Sequence, residues 1–168
     1  MTDSVSDAVV HRKFEAPIEA VRGEYTISTD RARIDVAAVH AFLSRSYWSP
    51  GIPEDVIRRA IAGATCFGIY HGREQVGFAR VISDQATYAY LADVYVLESH
   101  RGRGLAKWMM EVIMAHPSLQ GLRRFSLSTR DAHGLYSQFG FEPVANPNGQ
   151  MEILRRDIYL GATQRERI

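Results

Sequence analysis

Largely apolar segments separated by turn signals predict several short strands along the chain. Turn signals such as His71-Gly72 and Ser83-Asp84 separate the segments in the middle of the chain. The predicted strands are Glu24 to Thr29, Ala64 to Tyr70, Gln75 to Ile82 and Thr87 to Leu97. Because short loops join the last three, they are typical of an antiparallel meander.

Apolar residues spaced three and four apart predict four helices around these strands. The clearest stripe is Leu105, Met109, Val112 and Ile113, which repeats at the period of a helix with one buried face. The predicted helices are Ile34 to Ser44, Glu54 to Ala62, Gly104 to Ala115 and Ala132 to Phe139.

Two further strands are predicted in the second half, Arg123 to Ser128 and Met151 to Tyr159. Antiparallel strands that lead into a strand-helix-strand unit predict an α/β fold, with a mixed sheet and helices on its faces. Residues 1–22 show no clean period and are expected to form a tail or a loosely docked arm. Residues 23–168 then form a single domain.

Charge and composition narrow the possible partners. The 168 residues are 46% hydrophobic, which suits one domain with a substantial core. Twenty basic and 19 acidic side chains leave a formal net charge of +1. Proteins that grip nucleic-acid phosphates usually carry a basic excess, so no nucleic-acid partner is expected.

The single cysteine and the histidines give no sign of a metal site. Cys66 lies in an apolar run and is expected to be a buried thiol, and one cysteine excludes an internal disulfide. The six histidines lack the spacing of metal ligands. No apolar stretch approaches the roughly 18 to 20 residues of a membrane span, and the N-terminus lacks a secretory core. A cytoplasmic protein without a membrane partner is expected.

The most informative segment is a strand that runs through a glycine loop into the stripe-bearing helix. The loop reads Arg101-Gly102-Arg103-Gly104-Leu105-Ala106. The first N–H groups of a helix have no internal partner and lie at the positive end of its dipole, so they attract phosphate. Glycines let the backbone approach such a ligand closely. For the loop alone, an ordinary tight turn is an equal alternative.

A second motif follows about thirty residues later, Ala132-His133-Gly134-Leu135-Tyr136-Ser137-Gln138-Phe139-Gly140-Phe141. Leu135 and Phe139 are spaced as core contacts on one side of a helix, and Gly140 is suited to a left-handed cap. Tyr136 lies beside that stripe, at an edge where a phenol can reach into a cleft. A phenol has a pKa of about 10 and therefore stays protonated at neutral pH.

Together these two motifs resemble the GNAT superfamily of N-acetyltransferases. The resemblance spans Tyr25 to Tyr159 and is most specific from Leu91 to Phe141. It implies a GNAT-like acyltransferase fold with acetyl-CoA as the acyl donor, no metal, and Tyr136 as the acid that protonates the departing coenzyme A thiolate. It also implies a β-bulge that splays the long strand from the next.

The resemblance implies donor contacts along the long strand and the loop. The backbone of Val94, Tyr95 and Val96 is expected to hold the pantetheine arm and the acetyl carbonyl. The pyrophosphate is expected on Arg101, Gly102, Arg103, Gly104, Leu105 and Ala106. Thr129 stands where many relatives carry an asparagine that bonds the pantetheine chain, so a shorter side chain is expected to contribute less there.

The general base is the main departure from the family pattern. Tyr90 stands where some relatives have a glutamate, and strand alternation predicts that Asp93 faces away from Tyr90 and Val94. No base is therefore assigned. His133 is expected on the solvent face of its helix, and His100 adjoins the glycine loop.

The acceptor side is expected at the loop that contains Tyr47 and Trp48, with Tyr88 and Tyr90 on one face of the long strand. These aromatics suit a small, partly apolar primary amine, whereas a peptide or protein amine would need an open groove. An equal alternative is that Tyr47 and Trp48 only seal the core. A non-catalytic acyl-CoA-binding sensor is the competing functional class, and a monomer and a homodimer are both open.

Overall fold

A six-stranded sheet forms the centre of the computed structural model, which describes residues 16–161. Its strands are β1 (Glu19–Arg22), β2 (Tyr25–Ser28), β3 (Thr65–His71), β4 (Glu74–Ser83), β5 (Tyr88–Val96) and β6 (Arg124–Leu127). The strands lie side by side in chain order. The first five pair antiparallel, and β6 pairs parallel to β5. The mixed sheet predicted from the sequence is thus confirmed.

Four helices accompany the sheet: α1 (Val36–Leu43), α2 (Glu54–Ala62), α3 (Leu105–Met114) and α4 (His133–Tyr136). The side chain of Asp35 accepts from the Ala38 amide and starts α1. Gly63 caps α2, as its place in the sequence predicted. A 3-10 turn, Ser137–Phe139, extends α4 until Gly140 ends it with a φ of 83°. This is the expected left-handed cap.

The core lies in two layers, one on each face of the sheet. Helix α3 buries Met109, Met110 and Ile113 completely against one face, together with β4 residues such as Val81. Each such side chain contributes roughly 1.5–3 kcal/mol relative to an exposed position. Helices α1 and α2 cover the other face in a second cluster that includes Phe78 of β4. The sheet therefore presents separate surfaces to α3 and to the α1–α2 pair.

The long strand β5 is irregular near its carboxyl end. Tyr95 pairs with Phe78, but Ala92 pairs with Arg80, so two residues of β5 oppose the single residue between Phe78 and Arg80. Asp93 lies in this bulge with a φ of 56°. A bulge of this kind bends a strand and increases its local twist. The bulge implied by the family resemblance is therefore present.

Two predictions fail at the ends of the chain. The predicted tail, residues 1–22, includes Glu19–Arg22, which forms β1 against β2, while residues 1–15 lie outside the described part. The predicted strand from Met151 to Tyr159 is absent, and this segment is irregular. Met151 is 99% and Ile153 is 91% exposed. Apolar residues fix a strand only where one face of the strand is buried, and no face of this segment is buried.

Candidate active site

A row of free backbone amides lies where β5 leads into α3. The first hydrogen bond of the helix joins the Trp108 amide to the Gly104 carbonyl, over 3.0 Å. Within the described chain, the amides of residues 102–107 have no protein acceptor. They stand at the positive end of the helix dipole, which favours an anion. The arrangement fits a pyrophosphate.

Glycines make this cradle possible. Gly102 and Gly104 both have a φ of 74°, which side chains rarely adopt, and Gly104 is the residue immediately before α3. A Cβ added to either glycine would meet no protein atom within 4 Å, so the space beside the loop is open. Arg101 steadies the loop, because its Nε donates to the Val96 carbonyl over 3.0 Å. The predicted pyrophosphate residues therefore form one loop, and the space beside its two glycines is open.

Strand β5 extends beyond the end of its pairing with β6. Their parallel pairing ends at Leu91 and Leu127. Beyond Leu91 the side of β5 that faces β6 has no strand partner among the described residues. The predicted pantetheine contacts, Val94 to Val96, lie on this free stretch. An extended arm could pair with the open backbone edge as an added strand does.

Tyr136 lies in the same apolar cluster as Val96 and Leu105. It is 8% exposed, which is more buried than a tyrosine at the edge of a core. Burial, with smaller contributions from Tyr47 and Asp131, raises the pKa of Tyr136 from 10.0 to about 12. No hydrogen bond joins its hydroxyl to another side chain of residues 16–161. The phenol is therefore protonated at neutral pH and is available to donate.

Thr129 serves the local structure before α4. Its Oγ1 accepts from the Ala132 amide over 3.0 Å, and that residue directly precedes the helix. The hydroxyl proton stays free to donate to a ligand. His133, at the start of α4, is exposed as expected.

The loop between α1 and α2 supplies an aromatic cluster on the other face of the sheet. Tyr47 and Trp48 pack edge to face, with ring centroids 4.9 Å apart. Trp48 also lies 6.3 Å from Phe42 of α1, whose ring stacks on Tyr95. The guanidinium of Arg130 sits over Tyr47 at 3.9 Å. Tyr47 and Trp48 are 51% and 40% exposed, so they line a surface more than they seal a core.

The other two predicted acceptor residues lie farther along β5, towards its start. The hydroxyl of Tyr88 hydrogen-bonds the Ser126 hydroxyl on β6, over 2.6 Å. Tyr90 pairs with Ile82 and is partly buried. Neither tyrosine packs ring against ring with Tyr47 or Trp48. Tyr47 and Trp48 therefore lie together, whereas Tyr88 and Tyr90 lie apart from them on β5.

The orientation predicted for Asp93 from strand alternation is wrong with respect to Tyr90. Asp93 lies on the α1–α2 face, since its carboxylate accepts from Arg80 Nε and from Trp48 Nε1, the latter over 3.2 Å. Its side chain therefore shares a face with Tyr90, contrary to the alternation rule, and Val94 packs in the opposite cluster. The bulge breaks the alternation, and no residue pattern in this strand announces it.

The remaining reactive side chains and cavities of residues 16–161 do not form a second candidate active site. Cys66 is 3% exposed, and burial raises its thiol pKa from 9.0 to about 12, as suits an inert core thiol. A cavity of about 280 Å³ beside α1 contains neither the cradle nor Tyr136. In residues 16–161 no cluster of acidic, histidine or cysteine side chains could hold a metal ion. Within the same residues, every helix is too short or too polar to cross a bilayer.

Comparisons with known proteins agree with this geometry. The family model described as an acetyltransferase (GNAT) domain matches residues 62–143, which include both motifs. A candidate acetyltransferase of Gibberella zeae is 35% identical over 145 residues, covering 73% of this chain and 81% of that protein. A candidate GNAT-family acetyltransferase from Xanthomonas campestris, solved by crystallography, is 48% identical with a TM-score of 0.81. That alignment covers 83% of this chain and 99% of the other.

A more distant crystal structure shares the fold alone. It is a candidate acetyltransferase from Clostridium acetobutylicum, solved with acetyl-CoA. It is 15% identical, with a TM-score of 0.57 over 77% of this chain and 94% of that chain.

Proposed function

Because the chain belongs to the GNAT family of acetyltransferases, and so is an acyltransferase, we propose that it moves acetyl from acetyl-CoA to a primary amine of a small molecule. The transfer is a direct attack within a ternary complex. The observation that carries the proposal is the row of free amides at residues 102–107, which opens beside the cluster that contains Tyr136. The bound acetyl-CoA of the Clostridium acetobutylicum relative supports the same donor.

The donor half of the site follows from the loop and the open strand edge. The amides around Gly102 and Gly104 would hold the pyrophosphate, and charge-assisted bonds of this kind contribute roughly 1.5–3 kcal/mol each. The free backbone of Val94 to Val96 would hold the pantetheine arm. Thr129 would donate its hydroxyl proton to that arm. Acetyl-CoA supplies a thioester carbonyl that a neutral amine can attack.

Tyr136 completes the exchange of bonds. A C–N bond forms between amine and acetyl carbon, the C–S bond breaks, and the sulfur receives a proton from the Tyr136 hydroxyl. The ammonium proton of the new amide leaves to water, and water also reprotonates the phenolate. A pKa of about 12 keeps the phenol loaded before each turnover. General acid catalysis of this kind contributes about 10²–10⁴ in rate.

The acceptor half is the aromatic surface of Tyr47, Trp48 and Phe42. The candidate carboxylate nearest to it, Asp93, is engaged by Arg80 and Trp48. A site without a free base favours amines that are already neutral. At pH 7 about one lysine-type amine in 2,500 is unprotonated, against about one α-amine in ten. We therefore expect an α-amine or another weakly basic amine.

Turnover is tested by following thiol release from acetyl-CoA with four amines: 2-phenylethylamine, phenylalanine amide, spermidine and a lysine-containing peptide. We expect the wild type to acetylate at least one. Tyr136→Phe should lower kcat by about 10²-fold or more, because the acid is lost, while acetyl-CoA affinity is kept. Tyr88→Phe, which removes a phenol bonded to Ser126, is the matched control and should keep kcat. Acetyl-CoA binding without turnover of any amine would instead identify an acyl-CoA sensor.

A further inference from the structure

Asp93 occupies an unusual backbone position. Of the non-glycine residues in the described range, only Gln85 and Asp93 have a positive φ, and Gln85 lies in a turn. Asp93 lies inside a strand. A left-handed conformation is unfavourable for a residue with a Cβ, and such strain concentrates at functional sites. The kink turns the Asp93 side chain out of the strand alternation and towards the loop between α1 and α2.

The carboxylate at this kink is fully engaged and largely buried. Arg80 Nε donates to Oδ2, and the indole N–H of Trp48 donates to Oδ1 over 3.2 Å. The side chains of Arg80 and Asp93 are 20% and 9% exposed. Bonds to a buried charged group are stronger than neutral ones and hold their donors more firmly. Asp93 therefore fixes a loop residue that comes 45 positions earlier in the chain.

Trp48 passes this restraint on to Tyr47. The two rings pack edge to face with their centroids 4.9 Å apart. The Arg130 guanidinium covers another part of the Tyr47 ring. Asp93, Trp48, Tyr47 and Arg130 thus form one continuous cluster, and Tyr47 is a cause, after burial, of the raised pKa of the Tyr136 phenol.

We propose that Asp93 is the positioning residue of the acceptor pocket. It acts through the indole N–H, which holds Trp48 and Tyr47 as an aromatic wall beside the reacting thioester. A wall of two fixed rings fits a primary amine carried on a flat apolar body and disfavours a flexible polyamine. This assignment rests on the proposed acetyl transfer. Because guanidinium and indole engage the carboxylate, its role is geometric and no proton passes through it.

The first test needs no acceptor. In a Trp108→Phe background Trp48 is the only tryptophan, and its fluorescence reports its surroundings. Replacing only Asp93 by an apolar residue would leave Arg80 as an unpaired, largely buried charge. We therefore replace the pair together, as Arg80→Met with Asp93→Leu. We expect quenching of Trp48 by acrylamide to increase in this variant. It should stay close to wild type in the neutral pair Arg80→Gln with Asp93→Asn, where the amide oxygen at position 93 still accepts the indole N–H and its NH2 group donates to the amide oxygen at position 80.

The second test uses 2-phenylethylamine and spermidine as probes. The wild type should prefer 2-phenylethylamine. The paired replacement should raise the KM for this amine about tenfold, as loss of one such bond predicts, with the KM for acetyl-CoA unchanged. Trp48→Phe should do the same and add nothing when combined with the paired replacement. In the neutral pair Arg80→Gln with Asp93→Asn, both the amine KM and the pH dependence of kcat should stay close to wild type.

Three results would overturn the assignment. They are unchanged quenching of Trp48 in the apolar paired replacement, a wild-type preference for spermidine, and a large loss of kcat in the neutral pair Arg80→Gln with Asp93→Asn with the amine KM unchanged. The last would identify a proton-transfer role. If the wild type acetylates no amine, the proposed function fails, while the fluorescence experiment still decides whether Asp93 holds Trp48.

Discussion

Tyr70 carries a buried hydroxyl that has no hydrogen-bond partner among residues 16–161. The residue lies on β3 and is 3% exposed, and the Arg33 guanidinium covers its ring at 4.3 Å. Burial raises the pKa of this phenol from 10.0 to about 12. An unpaired polar group in a core loses its bonds to water on folding, which costs roughly 1–3 kcal/mol. The Tyr70 ring therefore stabilises the fold by packing, whereas its buried hydroxyl destabilises the fold.

Removing that hydroxyl should therefore not harm the protein. We expect Tyr70→Phe to keep or raise the midpoint of thermal unfolding, measured by circular dichroism. Tyr25→Phe is the matched control, because its hydroxyl bonds His100 Nδ1 over 2.9 Å, and its loss should lower the midpoint. A midpoint that falls in Tyr70→Phe would mean that the hydroxyl has a partner, such as a buried water.

At the scale of elements, the sequence predicted best the helices and strands that bury apolar side chains. The range of α2, Glu54–Ala62, was predicted to the residue, because its apolar stripe and terminal glycine agree. The strands β3 to β5 were predicted within one residue at each end. Both motifs contribute a residue to the same apolar cluster, Leu105 from the first and Tyr136 from the second.

What the sequence did not predict depends on long-range contacts. The bulge at Asp93 arises where β4 and β5 pair unevenly, and nothing local distinguishes that residue. Short β1 lacks buried positions that would mark it, since its residues are exposed or only partly buried. The segment after α4 contains apolar residues that suggest a strand, yet it ends against the α1–α2 loop. There Gly51 meets the Tyr159 carbonyl.

That contact yields a prediction for the C-terminal segment. A Cβ on Gly51 would lie 3.0 Å from the Tyr159 carbonyl oxygen, at a φ of 72° that already strains a side chain. We expect Gly51→Ala to loosen the segment, so that trypsin cuts faster after Arg155 and Arg156. Gly72→Ala, with a similar φ of 59° and no neighbour within 4 Å, is the control. Equal cleavage rates in the two variants would show that the contact does not hold the segment.

At the scale of the whole molecule, four buried acids in the described residues 16–161 make the stability sensitive to alkali. Burial raises the pKa of Cys66, Tyr70 and Tyr136 to about 12, and raises that of Tyr95 as well. The folded chain therefore holds these protons more tightly than the unfolded chain does. Their contribution to stability is fully present below about pH 9 and is lost as pH rises towards 12.

We expect the midpoint of thermal unfolding to fall steadily from pH 9 to pH 11.5, where each such proton changes the free energy of unfolding by up to about 1.4 kcal/mol per pH unit. Tyr70→Phe should flatten this slope, because one of the four groups no longer titrates. A slope that is the same in the variant and the wild type would contradict the burial account.

The central claim is that the glycine loop before α3 binds the diphosphate of acetyl-CoA. Calorimetric titration of three folded proteins with acetyl-CoA tests it directly: the wild type, Gly104→Leu and Gly121→Leu. The two glycines have similar φ values, 74° and 70°, and a Cβ on either meets no protein atom, but Gly121 lies beyond the far end of the helix. We predict micromolar or tighter binding by the wild type and Gly121→Leu, and none by Gly104→Leu. Absence of binding by the folded wild type, or equal binding by all three, would contradict the account.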